Sequence, residues 1–94
     1  MMYFKGLATL LDESGEAFPS RSELKIVCGK TLTKTPSWHK AIVLIEQETG
    51  RRLRLVGWQR NKEGEWRIRQ KFNIAKGYAL EIAAACEAYA NDWE

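Results

Sequence analysis

Histidine is almost missing from this chain. A single one, His39, stands among 94 residues. No pair of imidazoles is on hand for a metal, and neither a Ser–His–Asp nor a Cys–His arrangement can be argued from one His and scattered serines. Cysteine is equally scarce. Cys28 and Cys86 lie far apart with no CxxC motif and no Cys/His cluster. They read as two reduced, mostly buried thiols, with a single disulfide between them left open. The seven glycines, Gly6, Gly15, Gly29, Gly50, Gly57, Gly64 and Gly77, are isolated from one another. None forms the glycine-rich loop that cradles a nucleotide phosphate. The acids fall in turns and near the C-terminus, unpaired. These shortages point away from an enzyme, and no cofactor, metal or small-molecule substrate is expected.

Long apolar runs are missing too. Nothing approaches the roughly 18 residues that cross a bilayer as a helix. Lys5 and Gly6 interrupt Met1–Leu11, which is too short for a signal sequence. The expectation is a soluble, unsecreted chain, cytoplasmic or nucleoid-associated. Its length suits one domain, 1–94, with a core of modest stability that oligomerisation would help.

What is plentiful is positive charge in one place. Residues 51–76 carry nine Lys or Arg and only two acids, Glu63 and Glu65, a local net of +7 in a chain of +3. Residues 1–50 are neutral overall, and residues 77–94 are −4 with no base. A basic block followed by an acidic one predicts a molecule with two differently charged faces.

Taken in order, Tyr3–Leu11 reads as a strand and Asp12–Glu16 as a turn. Leu24, Ile26 and Cys28 alternate with Glu23, Lys25 and Val27, a period-two strand. Gly29–Ser37 reads as a loop, either a solvated connection or a flap that touches a phosphate backbone. Ala41–Gln47 is apolar enough for a central strand. Glu48-Thr49-Gly50 is a tight turn. Strand Arg52–Trp58 follows, with Leu53, Leu55 and Gly57 on one face and Arg52, Arg54, Val56 and Trp58 on the other. After the Asn61–Gly64 turn, strand Glu65–Phe72 puts Trp66, Ile68, Gln70 and Phe72 on one face and Arg67, Arg69 and Lys71 on the other. Ala75–Trp93 is a helix rich in Ala and Glu. Tyr78, Ile82, Cys86, Tyr89 and Trp93 form a stripe about 80° wide.

The fold class is therefore α+β: a curved antiparallel sheet of about four to five strands, then one C-terminal helix packed on one face. Residues 1–37 are an N-terminal hairpin or extension, 38–74 the basic sheet core and 75–93 the helix. Leu53, Leu55, Trp66, Ile68 and Phe72 are the expected core.

The layout WHKAIVLIEQETGRRLRLVGWQRNKEGEWRIRQKFNIAKGYALEIAAACEAYA, residues 38–90, resembles the transcriptional positive cofactor four family of single-stranded-DNA-binding coactivators. The likeness lies in a Gly turn at Gly50, a basic strand ending in Trp58, a polar turn over 61–65, a second basic strand and an apolar Ile74 before the helix. Lys76-Gly77 stands where that family carries a Lys-Gly pair. Plant purine-rich-element binders with repeated β-β-β-β-α units are similar in the same way. The resemblance implies a four-stranded curved sheet, a homodimer paired through its helix and single-stranded DNA held across the sheet.

Single strands need cations for phosphates and aromatic faces for bases. The candidate nucleic-acid-binding residues are Arg52, Arg54, Arg67, Arg69 and Lys71, with Trp58 as stacking platform and Trp38 with Lys40 as a second contact. His39, beside them, is either an ordinary hydrogen-bonded side chain or a phosphate contact. Duplex DNA is disfavoured because the one helix is acidic. The competing class is a dimeric interaction module whose basic face docks an acidic protein.

Overall fold

Among the described residues, five antiparallel strands follow one another across the sheet in the order of the sequence, and the last four are joined by short turns. The computed structural model describes residues 13–19, 24–90 and 92. The expected strand at Tyr3–Leu11, and Trp93 of the helical stripe, lie outside the described residues. The strands are β1 (Glu13–Ser14), β2 (Ile26–Lys34), β3 (Trp38–Gln47), β4 (Gly50–Arg60) and β5 (Trp66–Ile74). A 3-10 turn at Lys76–Tyr78 leads into α1 (Ala79–Tyr89). Among the described residues, an open sheet and one C-terminal helix make the chain α+β.

The hairpin turns form where the sequence places them. Gly50 and Gly64 take φ of 124° and 85°, which a side chain resists. The Asn61 side-chain oxygen accepts the N–H groups of Glu63 and Glu65 at 3.0 and 2.9 Å, so the β4–β5 turn is closed by its own residues. The 29–37 stretch is not a loop. β2 runs on to Lys34, with Thr31 opposite Ala41 and Thr33 opposite Lys40. Its β-branched threonines suit a strand, and β3 satisfies their backbone. Only Thr35–Ser37 turns, and there Thr35 Oγ1 accepts the Trp38 N–H at 2.9 Å.

The register reveals which face is the core. His39, Ala41 and Val43 of β3 lie opposite Trp58, Val56 and Arg54 of β4, and Ile45 lies opposite Arg52. Cross-strand partners share a face. The buried cluster is Phe18, Ala41, Val43, Ile45, Val56 and Trp58, with Leu24, Ile26, Trp66 and Ile68 packed against it. The expected core of Leu53, Leu55 and Phe72 is therefore on the wrong side. Leu53 and Leu55 are only half-buried, and Phe72 is 53% exposed. Trp66 and Ile68 were placed correctly. The reason is the cover. Phe18, at the end of a 3-10 turn over Gly15–Ala17, seats on the Val56–Trp58 side. Its full burial stabilises the fold by about 1.5–3 kcal/mol.

The helix does not supply that cover. No residue of α1 is buried, and Tyr78 and Tyr89 of its stripe are 47% and 62% exposed. The expectation that it packs on one face of its own sheet is not met. Cys86 is exposed rather than buried, and both thiols are free.

Gly29 carries the cover. A Cβ there would stand 2.8 Å from Phe18 Cζ, from Val43 Cγ1 and from the Ile42 carbonyl oxygen. Gly29→Ala is expected to cost about 1–3 kcal/mol by overpacking this seat, read from the midpoint of urea unfolding. An unchanged midpoint would show that Phe18 is not held there.

Candidate nucleic-acid interface

β4 and β5 build the basic surface, and an irregularity between them shapes it. Arg54 pairs with Asn73 and Val56 with Lys71; then the register slips between Gly57 and Trp58, so that Gly57 meets Gln70 and Trp58 meets Ile68. Arg69 is the extra residue, a bulge on β5. Strict alternation puts Arg67, Arg69 and Lys71 on one face; the bulge breaks that alternation. Ile68 and Trp66 stay on the core side, and Lys71 and Asn73 join them.

The result is an open hollow of about 870 Å³ lined by Leu24, Gln47, Arg54, Asn61, Arg67, Ile68, Arg69 and Lys71. Four predicted site residues, Arg54, Arg67, Arg69 and Lys71, line it, although the register sets Arg67 opposite Gln59, on the Trp38 side of the sheet. Arg52 lies on the same face as Arg54, exposed, two residues along β4 from it. Arg54 is only 8% exposed. Its Nε donates to Asn73 Oδ1 at 2.6 Å, and among the described residues it has no carboxylate partner. Arg69 and Lys71 likewise face no carboxylate among the described residues. Arg67 does: its Nη2 bonds Glu65 Oε1 at 2.8 Å. That guanidinium and then Asn61 hold the Glu65 carboxyl below its ordinary range. A nearly buried guanidinium with only a neutral partner is costly unless an anion reaches it.

The other predicted residues are not brought to this hollow. Trp58, expected as an exposed stacking platform, is fully buried. It stacks on Phe18 at 5.9 Å between ring centroids and tilts against His39 at 5.5 Å. Arg54, Val56 and Trp58 do share a face, but it is the covered one. The indole N–H of Trp58 is sealed in without an acceptor. Trp38 and Lys40 belong to the opposite face, where Lys40 Nζ sits 5.1 Å from the Trp38 ring centroid. That contact is a cation–π pair.

His39 is not a phosphate contact, because it is 2% exposed beneath Phe18. Its Nε2 lies 2.9 Å from Thr31 Oγ1. Thr31 in turn meets Glu13: its N–H bonds Oε1, and its hydroxyl donates to Oε2 at 3.2 Å. A hydroxyl has one proton. If Glu13 takes it, His39 donates through Nε2–H. This Glu13–Thr31–His39 chain ties β1 to the sheet beside Phe18. Sequence reading missed Glu13, Thr31 and Asn73. Asn73 alone left a signal, a polar residue two past Lys71 in the basic strand.

Compared with known proteins, the chain matches no family model, no curated protein and no solved structure.

This part-buried chain is expected to make the fold acid-sensitive. Burial, then the charge of Lys34, lowers the His39 pKa below 6.5, with Glu13 opposing. Burial raises the Glu13 carboxyl, but Thr31's two bonds, with Lys30 and His39, outweigh it and leave the pKa below 4.5. Both groups bind protons less readily folded than unfolded. Stability is therefore complete above 6.5, then falls as pH drops through the depressed His39 value, and again below 4.5. Unfolding midpoints measured from pH 8 to pH 4 check this. His39→Phe is expected to flatten the first descent and leave the second; an unchanged profile would remove His39 as its cause.

Proposed function

We propose that the protein binds single-stranded nucleic acid, DNA in the first instance, through the hollow between β4 and β5 and as a homodimer. One observation carries the reading: Arg54 lies nine-tenths buried at a surface shared with Arg67, Arg69 and Lys71, and only Glu65, on Arg67, offsets them among the described residues. A row of cations on a sheet is the chemistry that tracks a phosphate backbone. The layout shared with the positive cofactor four family supports the same reading. The stacking role moves away from Trp58. Trp38 on the other face is half-buried under Lys40, so phosphate contacts dominate over stacking here. An acidic protein is the rival occupant of the same cations.

The homodimer draws support from surfaces one chain leaves open. Leu32 and Phe72 are 59% and 53% exposed on the sheet, and Leu80 and Tyr89 are 61% and 62% exposed on α1. Exposed apolar surface on this scale in a small chain marks an interaction site.

Fluorescence anisotropy with a labelled oligonucleotide tests the binding. The single strand is expected to bind more tightly than its duplex. With about five phosphate contacts, log affinity should fall against log salt with a slope of about −3.5. Arg69→Ala with Lys71→Ala should reduce the slope to about −2 and leave the melting temperature nearly unchanged. Binding of neither form in low salt would discard the nucleic-acid reading and favour an acidic protein partner.

Light scattering tests assembly. A mass of two chains is expected, and Phe72→Glu or Tyr89→Glu should shift it to one. A wild-type monomer at every concentration would refute the dimer.

A further inference from the structure

We infer that the hollow is an end-binding site, taking the terminal phosphate of a strand, a phosphomonoester, in preference to an internal phosphodiester. The inference rests on the single-strand reading above and narrows it.

The argument starts at Arg54. Its side chain is 8% exposed, and Asn73 Oδ1 fixes its Nε at 2.6 Å. A guanidinium has five N–H donors, so four remain for a ligand, and two of them match two oxygens of one phosphate side by side. An internal phosphodiester has only two non-bridging oxygens and a single charge. It also carries a sugar on each side, so it offers the cations of the hollow less charge and fewer free oxygens than a strand end does. A terminal phosphate has three free oxygens, a charge of about −1.5 to −2 and one sugar. Arg54 takes two of its oxygens, and the third is left for Lys71 or Arg69. Three cations without a carboxylate are more than a monoanion calls for and suit a dianion.

The walls fit the rest of such an end. Leu24 and Ile68 are the apolar part of the lining, and Gln47 and Asn61 the neutral polar part. The apolar pair suits the one sugar that follows the phosphate, and the amides suit its hydroxyls. Arg67, held by Glu65 and set opposite Gln59, is left for an ordinary diester contact.

The test measures one labelled single strand with a 5′-phosphate, with a 3′-phosphate and with hydroxyl ends. A nucleoside monophosphate and inorganic phosphate serve as competitors. A phosphorylated end is expected to bind about tenfold more tightly than hydroxyl ends, the scale of one added charge-assisted contact. Which end gains gives the polarity of the strand. Arg54→Gln should abolish the gain. Because Arg54 is largely buried, Arg69→Ala, at an exposed position, is the second variant, and it should reduce the gain while leaving the melting temperature unchanged.

Equal affinity for all three ends, with single strands still preferred over duplex, would overturn the end-binding inference and leave the single-strand reading standing. Inorganic phosphate competing as well as the nucleoside monophosphate would also overturn it, as the site would then be one for free anions. No binding of any oligonucleotide would overturn both.

Discussion

Phe18 decides which side of this sheet is inside. β3 is apolar on both faces, with Ala41, Val43 and Ile45 on one and Ile42 and Leu44 on the other, so either could be the core. A single aromatic ring settles the choice by closing over Gly29 and stacking on Trp58 and His39. The site follows from that. Trp58 becomes a structural residue. Arg54, four residues back on the same face, is drawn toward the covered interior and loses most of its water. The hollow then opens where the cover stops, with Leu24 as one wall.

Much of the fold was legible in the residues, and what was not has identifiable causes. The α+β order, the Gly50 and Gly64 turns and the approximate extents of β3, β4 and β5 follow from turn chemistry and alternation. Alternation also grouped Arg52, Arg54, Val56 and Trp58 correctly on one face. It failed to say which face is buried, because a strand with Leu53 and Leu55 on one side and Val56 and Trp58 on the other is apolar both ways. Counting charge favoured the wrong answer, since an arginine-bearing face reads as solvated. The bulge at Arg69 left no mark either. Nothing in Trp66–Ile74 announces an inserted residue, yet it moves Phe72 to the open face and Lys71 beside Val56. The length of β2 was hidden by lysines and a proline whose loop character reaches only Thr35–Ser37.

The error about sides strengthens the charged cluster while weakening the stacking argument. Five exposed cations on a wet face repel one another mildly and need no partner, because water screens them. Here Arg54 is taken out of most of that screening, held to a neutral amide and left on the lining of the hollow without a carboxylate among the described residues. A buried guanidinium is favourable only when its charge is met. Its cross-strand partner Val43 and the next residue on its face, Val56, are both buried, so the fold holds an unmatched charge at the edge of its apolar core.

On the proposed reading, that arrangement would couple ligand affinity to the stability of the core. An anion that meets Arg54 relieves part of the desolvation penalty and binds the folded chain alone, since unfolding disperses the four cations. Such a ligand stabilises the fold in proportion to the logarithm of its concentration over its dissociation constant. The same logic runs backward through Phe18. Phe18 and Val43, the cross-strand partner of Arg54, belong to one buried cluster, so loosening the cover would loosen the packing beside that guanidinium. The Glu13–Thr31–His39 chain, on the covered side and remote from the cations in sequence, therefore bears on the site by holding the cover down. On the proposed reading, affinity for a phosphate would depend on how tightly one aromatic ring is seated.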